Sequence, residues 1–140
     1  VIMLASMIPI GQALESTGIT ALIATEVVSL AGDLHIFWVL MIILIITMLI
    51  TDVINNAATA VIMAPFSVNI ALQLGQPLEP FLMVVAVGAS CAFLTPIGHQ
   101  CNTLVMGPGN YKFSDYWRLG LPLDILIVLA SIPMILFVWL

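Results

Sequence analysis

Thr95-Pro-Ile-Gly-His-Gln-Cys-Asn-Thr103 decides the fold, because it interrupts apolar sequence and resists an ordinary helix. Thr95-Pro96 removes a backbone donor and disfavours helical geometry at Thr95. Gly98 weakens a helix further. His99, Gln100 and Asn102 are costly in hydrocarbon. Without water, every backbone N–H and C=O needs a partner, so such a stretch persists only inside protein or along a wet cavity. The pattern predicts a discontinuous helix over 81–107, apolar through Leu94 and broken at the polar island. Its broken ends offer carbonyls to a cation and N–H groups to an anion.

The surroundings demand a membrane. Of 140 residues, 63% are hydrophobic and 6% charged, with mean hydropathy +1.27. Soluble domains carry roughly 25% charged residues, and small domains leave much of their surface in water. A soluble enzyme is therefore excluded, and so is a disordered tail. Two Lys+Arg leave no basic patch for nucleic acid. What remains is an all-α integral membrane protein in a lipid bilayer, with no enzymatic activity. The net charge of −5 is scattered rather than blocked. Cys91 and Cys101 read as small buried hydrophobes.

At roughly 20 residues per span, the length allows at most about six spans. Residues 1–14 read as the end of a span, 15–18 as a polar break, 19–31 as an interfacial helix and 32–33 as a turn. Both termini fall in apolar runs without a signal peptide, so the chain is expected to be part of a larger membrane protein. Residues 34–51 form a spanning candidate. A second island, Asn55-Asn-Ala-Ala-Thr59, precedes the apolar run 60–74. That run is short for a span, so 34–74 reads as a re-entrant hairpin with a polar tip. Residues 75–80 read as a loop, 107–110 as a turn and 121–140 as the last span. Lys112 and Arg118 share the loop 107–119, which the positive-inside rule puts in the cytoplasm.

Neutral carboxamide, hydroxyl and carbonyl oxygens suit a monovalent cation, while amide N–H groups suit an oxyanion. The blander readings are interhelical hydrogen-bond glue for the asparagines and a passive kink for Thr95-Pro96. Asp52 reads either as a coupling carboxylate or, preferably, as an interfacial or helix-capping acid. His99 reads as a satisfied interior histidine.

The stretch from Ile54-Asn-Asn-Ala-Ala-Thr-Ala-Val-Ile-Met-Ala-Pro65, with Thr95-Pro-Ile-Gly-His-Gln-Cys-Asn-Thr103 and Gly107-Pro-Gly-Asn110, resembles the divalent anion–sodium symporter family. That family belongs to the citrate-transporter-like superfamily. The resemblance covers nearly the whole chain and implies the C-terminal inverted repeat of a homodimeric secondary transporter, completed by an N-terminal half. It implies a small anion substrate and sodium as coupling ion, with no other cofactor, in a bacterial inner membrane.

Residue by residue, Asn56 matches the Asn of the family's Ser-Asn-Thr motif. Asn55 stands in place of Ser, and Ala57 in place of Thr. Those departures are more similar to the sulfate-carrier branch than to dicarboxylate carriers. The resemblance implies substrate contacts at Asn55, Asn56, Thr59, Thr95 and Pro96, and cation contacts at Asn56, Thr95, Gly98 and Asn102. The rival readings are a sodium/proton antiporter or arsenite-type carrier of the same superfamily, and a non-transporting membrane scaffold.

Overall fold

The computed structural model describes residues 35–139 throughout, and before them Pro9, Ala13, Ser16, Thr17, Gly18, Leu22, Thr25, Glu26 and Ser29. The span expected over 1–14, the interfacial helix over 19–31 and the turn at 32–33 therefore lie outside the continuously described residues. Every regular element among the described residues is helical: α1 (Ile36–Thr51), α2 (Asn56–Leu74), α3 (Leu78–Ser90), α4 (Gln100–Met106) and α5 (Phe113–Trp139).

Helix α1 carries no charge and is apolar all round. It buries Val39, Leu40, Ile43, Leu44, Thr47, Met48 and Thr51, the pairwise recurrence of one helical face. Its other side exposes Trp38, Ile45 and Leu49, as a lipid-facing helix does. Helix α3 packs between α1 and α2, and α5 lies across α1 and α3. Small residues set the closest approach: a Cβ at Gly88 would come within 2.9 Å of the Thr47 Cβ.

Several boundaries differ from the sequence expectation, each for a local reason. Asn55 is extended and its Oδ1 accepts from the Ala58 N–H at 2.8 Å. It is thus the N-cap of α2, and Asn56–Thr59 form that helix's first turn instead of an unwound tip. With them α2 reaches 19 residues, long and apolar enough to span, which removes the shortness on which the re-entrant reading rested. At its other end Gly75 takes φ 63°, and the Gln76 N–H donates to the Ala71 carbonyl, a Schellman close.

Helix α3 starts at Leu78, inside the expected loop 75–80. Glu79 and Pro80 belong to its first turn, where an acid complements the helix dipole and proline loses no hydrogen bond. It ends at Ser90, four residues before the apolar run does. Gln100, Cys101 and Asn102 lie in α4 rather than in the break. Helix α5 begins at Phe113, well before 121, and takes Pro122 and Pro133 inside it. At 1.5 Å per residue it is about 40 Å long, more than a hydrocarbon core requires. Cys91 is buried as expected, whereas Cys101 is exposed.

Candidate functional site

Two interruptions of helix, 52–55 and 91–99, meet in space. The Thr95 hydroxyl donates to the Asp52 carbonyl at 2.6 Å, and the Leu94 N–H donates to Asp52 Oδ1 at 3.1 Å. The Thr51 hydroxyl lies 3.0 Å from both the Ala89 carbonyl and Asn56 Oδ1. Gly98 closes the contact, since a Cβ there would stand 3.0 Å from the Asp52 Cα and the Thr51 carbonyl. The ends of α1 and α3 and the start of α2 are thereby fixed together.

The 91–99 segment is held by side chains in place of a helical ladder. Asn102 Nδ2 donates to the Ala92 carbonyl at 2.8 Å and to the Thr95 carbonyl at 3.3 Å. The Thr103 hydroxyl donates to the Pro96 carbonyl at 2.6 Å, and the Gly98 N–H to Thr95 Oγ1 at 3.1 Å. The Tyr116 hydroxyl of α5 reaches the Asn102 carbonyl at 2.7 Å. Unwound backbone that satisfies its own carbonyls in this way persists at low dielectric.

The expected residues fall into four positions. Asn56, Thr95, Gly98 and Asn102 gather around the junction. Asn55 flanks it as the cap, with Oδ1 turned back to α2. Thr59 is fully buried, its hydroxyl donating to the Asn55 carbonyl at 3.2 Å, so it orders the turn from behind. Pro96 is buried within the broken segment. The two islands pack directly instead of facing each other across an open cavity. The polar atoms there are neutral amides, hydroxyls and carbonyls around one carboxylate, a donor set that fits a hard monovalent cation.

Asp52 lies at a helix end and inside the protein. It occupies the C-cap position of α1, yet it is only 4% exposed. An acid at a helix C-terminus opposes the dipole. Here it is retained because its carboxylate serves the other break. Thr51, Thr103 and Tyr116 were not singled out by sequence. The hydroxyls at 51 and 103 border the two islands, and that adjacency is the signal that could have found them.

All 140 residues match the model of the citrate transporter family, and the chain belongs to that family. Over 139 residues it is 37% identical to an uncharacterized transporter of Synechocystis, covering 99% of this chain and 23% of that protein. It is 39% identical over 135 residues to the uncharacterized transporter YfbS of Escherichia coli, covering 96% of this chain and 22% of that protein. Sodium/sulfate cotransporter 2 of Chlamydomonas reinhardtii is 28% identical over 129 residues, 91% of this chain and 15% of its own length. The chain thus spans less than a quarter of these relatives. They are named as transporters, and with two helices among the described residues able to cross a bilayer this is a membrane protein.

Proposed function

We propose that the chain forms the C-terminal part of the ion pathway in a sodium-coupled carrier of a divalent anion, sulfate-like in preference to a di- or tricarboxylate. The observation that carries this reading is the meeting of two helix breaks through Thr51, Asp52, Thr95 and Gly98. Asn56, Thr95, Gly98 and Asn102 surround the cation. Asn55, Asn56, Thr95 and Pro96 border the anion, and Thr59 steadies the turn beneath them. A bound cation beside the anion raises its affinity, and by linkage the anion raises the cation's by the same factor. The missing hydroxyls at Asn55 and Ala57 and the relatives named sodium/sulfate cotransporters support an inorganic oxyanion.

In this reading an N-terminal half completes the ion pathway beside the junction, two copies assemble, and the junction lies at mid-bilayer in a bacterial inner membrane. Residues 107–119, a turn that runs into the first turns of α5, are cytoplasmic, because they hold both Lys112 and Arg118. Residues 34–74 form one mobile hairpin unit and 81–107 its broken partner.

The test is uptake of labelled sulfate, thiosulfate and succinate into vesicles bearing the full-length protein, with and without sodium. Sodium-stimulated sulfate uptake is expected; sodium-independent succinate uptake would reject the reading. Pro96→Ala restores one backbone donor, so we expect a weaker sodium response, by roughly threefold, for about 0.7 kcal/mol. An unaltered sodium titration would show that Pro96 is a passive kink.

The burial of Asp52 favours one second reading, an antiporter that couples through an acid. Loss of transport in Asp52→Asn with an unharmed Asn56→Ala would select it.

A further inference from the structure

A groove of about 270 Å³ runs between α1 and α5, walled by Ile45, Met48 and Leu49 on one side and Leu121 and Ile125 on the other, with Leu94 at its end. Among the described residues Asp124 is the one polar side chain lining it. It lies one turn after Gly120, on the same helix face. Gly120 presses so closely on the 91–99 segment that a Cβ would strike the Phe93 carbonyl. Asp124 is thereby held against Leu94, whose N–H already serves Asp52.

Both Asp124 carboxylate oxygens and Asp52 Oδ2 are buried, with no hydrogen-bond partner among the described residues. Asp124 therefore sets two carboxylate oxygens beside an apolar groove without a donor, and hydrocarbon cannot solvate them.

Neither the lysine nor the arginine of this chain, Lys112 and Arg118, can pair with Asp124. Lys112 precedes α5, and Arg118 stands six residues before Asp124, about 9 Å along the axis and on another face. Residues 1–34 contain no Lys or Arg.

We propose that the α1–α5 groove seats a spanning helix from the rest of the same polypeptide, which brings an arginine to Asp124. A guanidinium presents up to five donors in a planar fork, enough for both Asp124 oxygens, and tolerates burial better than an ammonium. The flanking aliphatic walls match an apolar helix around that charge. The inference rests on the membrane reading and on the longer polypeptide of the proposed function, and is independent of which ions are carried.

The experiment uses the full-length transporter in detergent micelles. Asp124→Lys is expected to cut the folded yield roughly tenfold or more, because it sets like charges together in a buried pair. Each Arg or Lys within spanning segments outside these 140 residues is then changed to Glu in the Asp124→Lys background. One such reversal is expected to restore most of the folded yield, even if Asp124→Lys alone yields none. Wild-type yield in Asp124→Lys, or no restoring partner, would overturn the proposal. So would a neutral-carboxyl infrared band in the wild type that Asp124→Asn removes, since the acid would then carry a proton instead of meeting a cation. Asn56→Ala, which should lose uptake and keep its yield, separates failure here from failure of the transport reading.

Discussion

Replacing Gly98 with alanine is expected to cost about 2 kcal/mol of stability, within the usual range for overpacking, and to disconnect the two helix breaks. The added methyl would meet the Ala92 Cβ at 2.9 Å and the Asp52 Cα and Thr51 carbonyl at 3.0 Å. Two of those three atoms are backbone and cannot swing aside. The cheapest relief moves the 91–99 segment away from α1. That movement stretches the Thr95 hydroxyl from the Asp52 carbonyl and the Leu94 N–H from Asp52 Oδ1. Thermal unfolding of the purified full-length protein reads the stability term, and sodium-stimulated uptake reads the disconnection. The helical content should stay, because α1 through α5 each have their own ladders. A variant with wild-type melting and uptake would mean that the breaks do not need this contact.

Asn56→Ala is expected to lower sodium-dependent uptake by about 10- to 100-fold, the equivalent of losing one hydrogen bond to a charged group. The fold should tolerate it. Position 56 opens α2, alanine is the best helix former, and Asn55 still caps the helix. The lost Thr51–Asn56 bond is neutral and partly buried, worth about 1 kcal/mol. Initial rates at several sodium concentrations, normalised to folded protein, measure the effect. A rate within twofold of wild type would remove Asn56 from the site.

Much of this arrangement is legible in the chain because proline, glycine and capping residues act locally. Thr95-Pro96 and Gly98 announce the second break, and the structure leaves helix from Cys91 to His99. Asn55 ahead of an apolar run is a recognisable N-cap signal, although the polarity of Asn56–Thr59 makes them read as loop. Glu79 and Pro80 read as loop for the same reason, while both favour a helix's first turn. What sequence does not reveal is which distant groups satisfy one another. That Asp52 reaches Leu94 depends on α1 and α3 ending side by side, which no periodicity encodes. Asp124 was legible in principle, as a lone acid in an apolar run. Its orphaned oxygens appear only once α5 lies on α1. Apolar periodicity is equally silent on whether a face meets lipid or protein, since both solvents accept the same side chains.

The most direct measurement is labelling of Ala57→Cys by a membrane-impermeant maleimide, in the full-length transporter with Cys101→Ser to remove the exposed native thiol. Ala57 is exposed, beside Asn56 and two residues from the α2 cap. If the two breaks form a shared ion and anion site inside the membrane, labelling is slow, and sodium with sulfate together slow it further, more than either alone. Rapid labelling indifferent to sodium and sulfate would put the junction in bulk water and contradict the site.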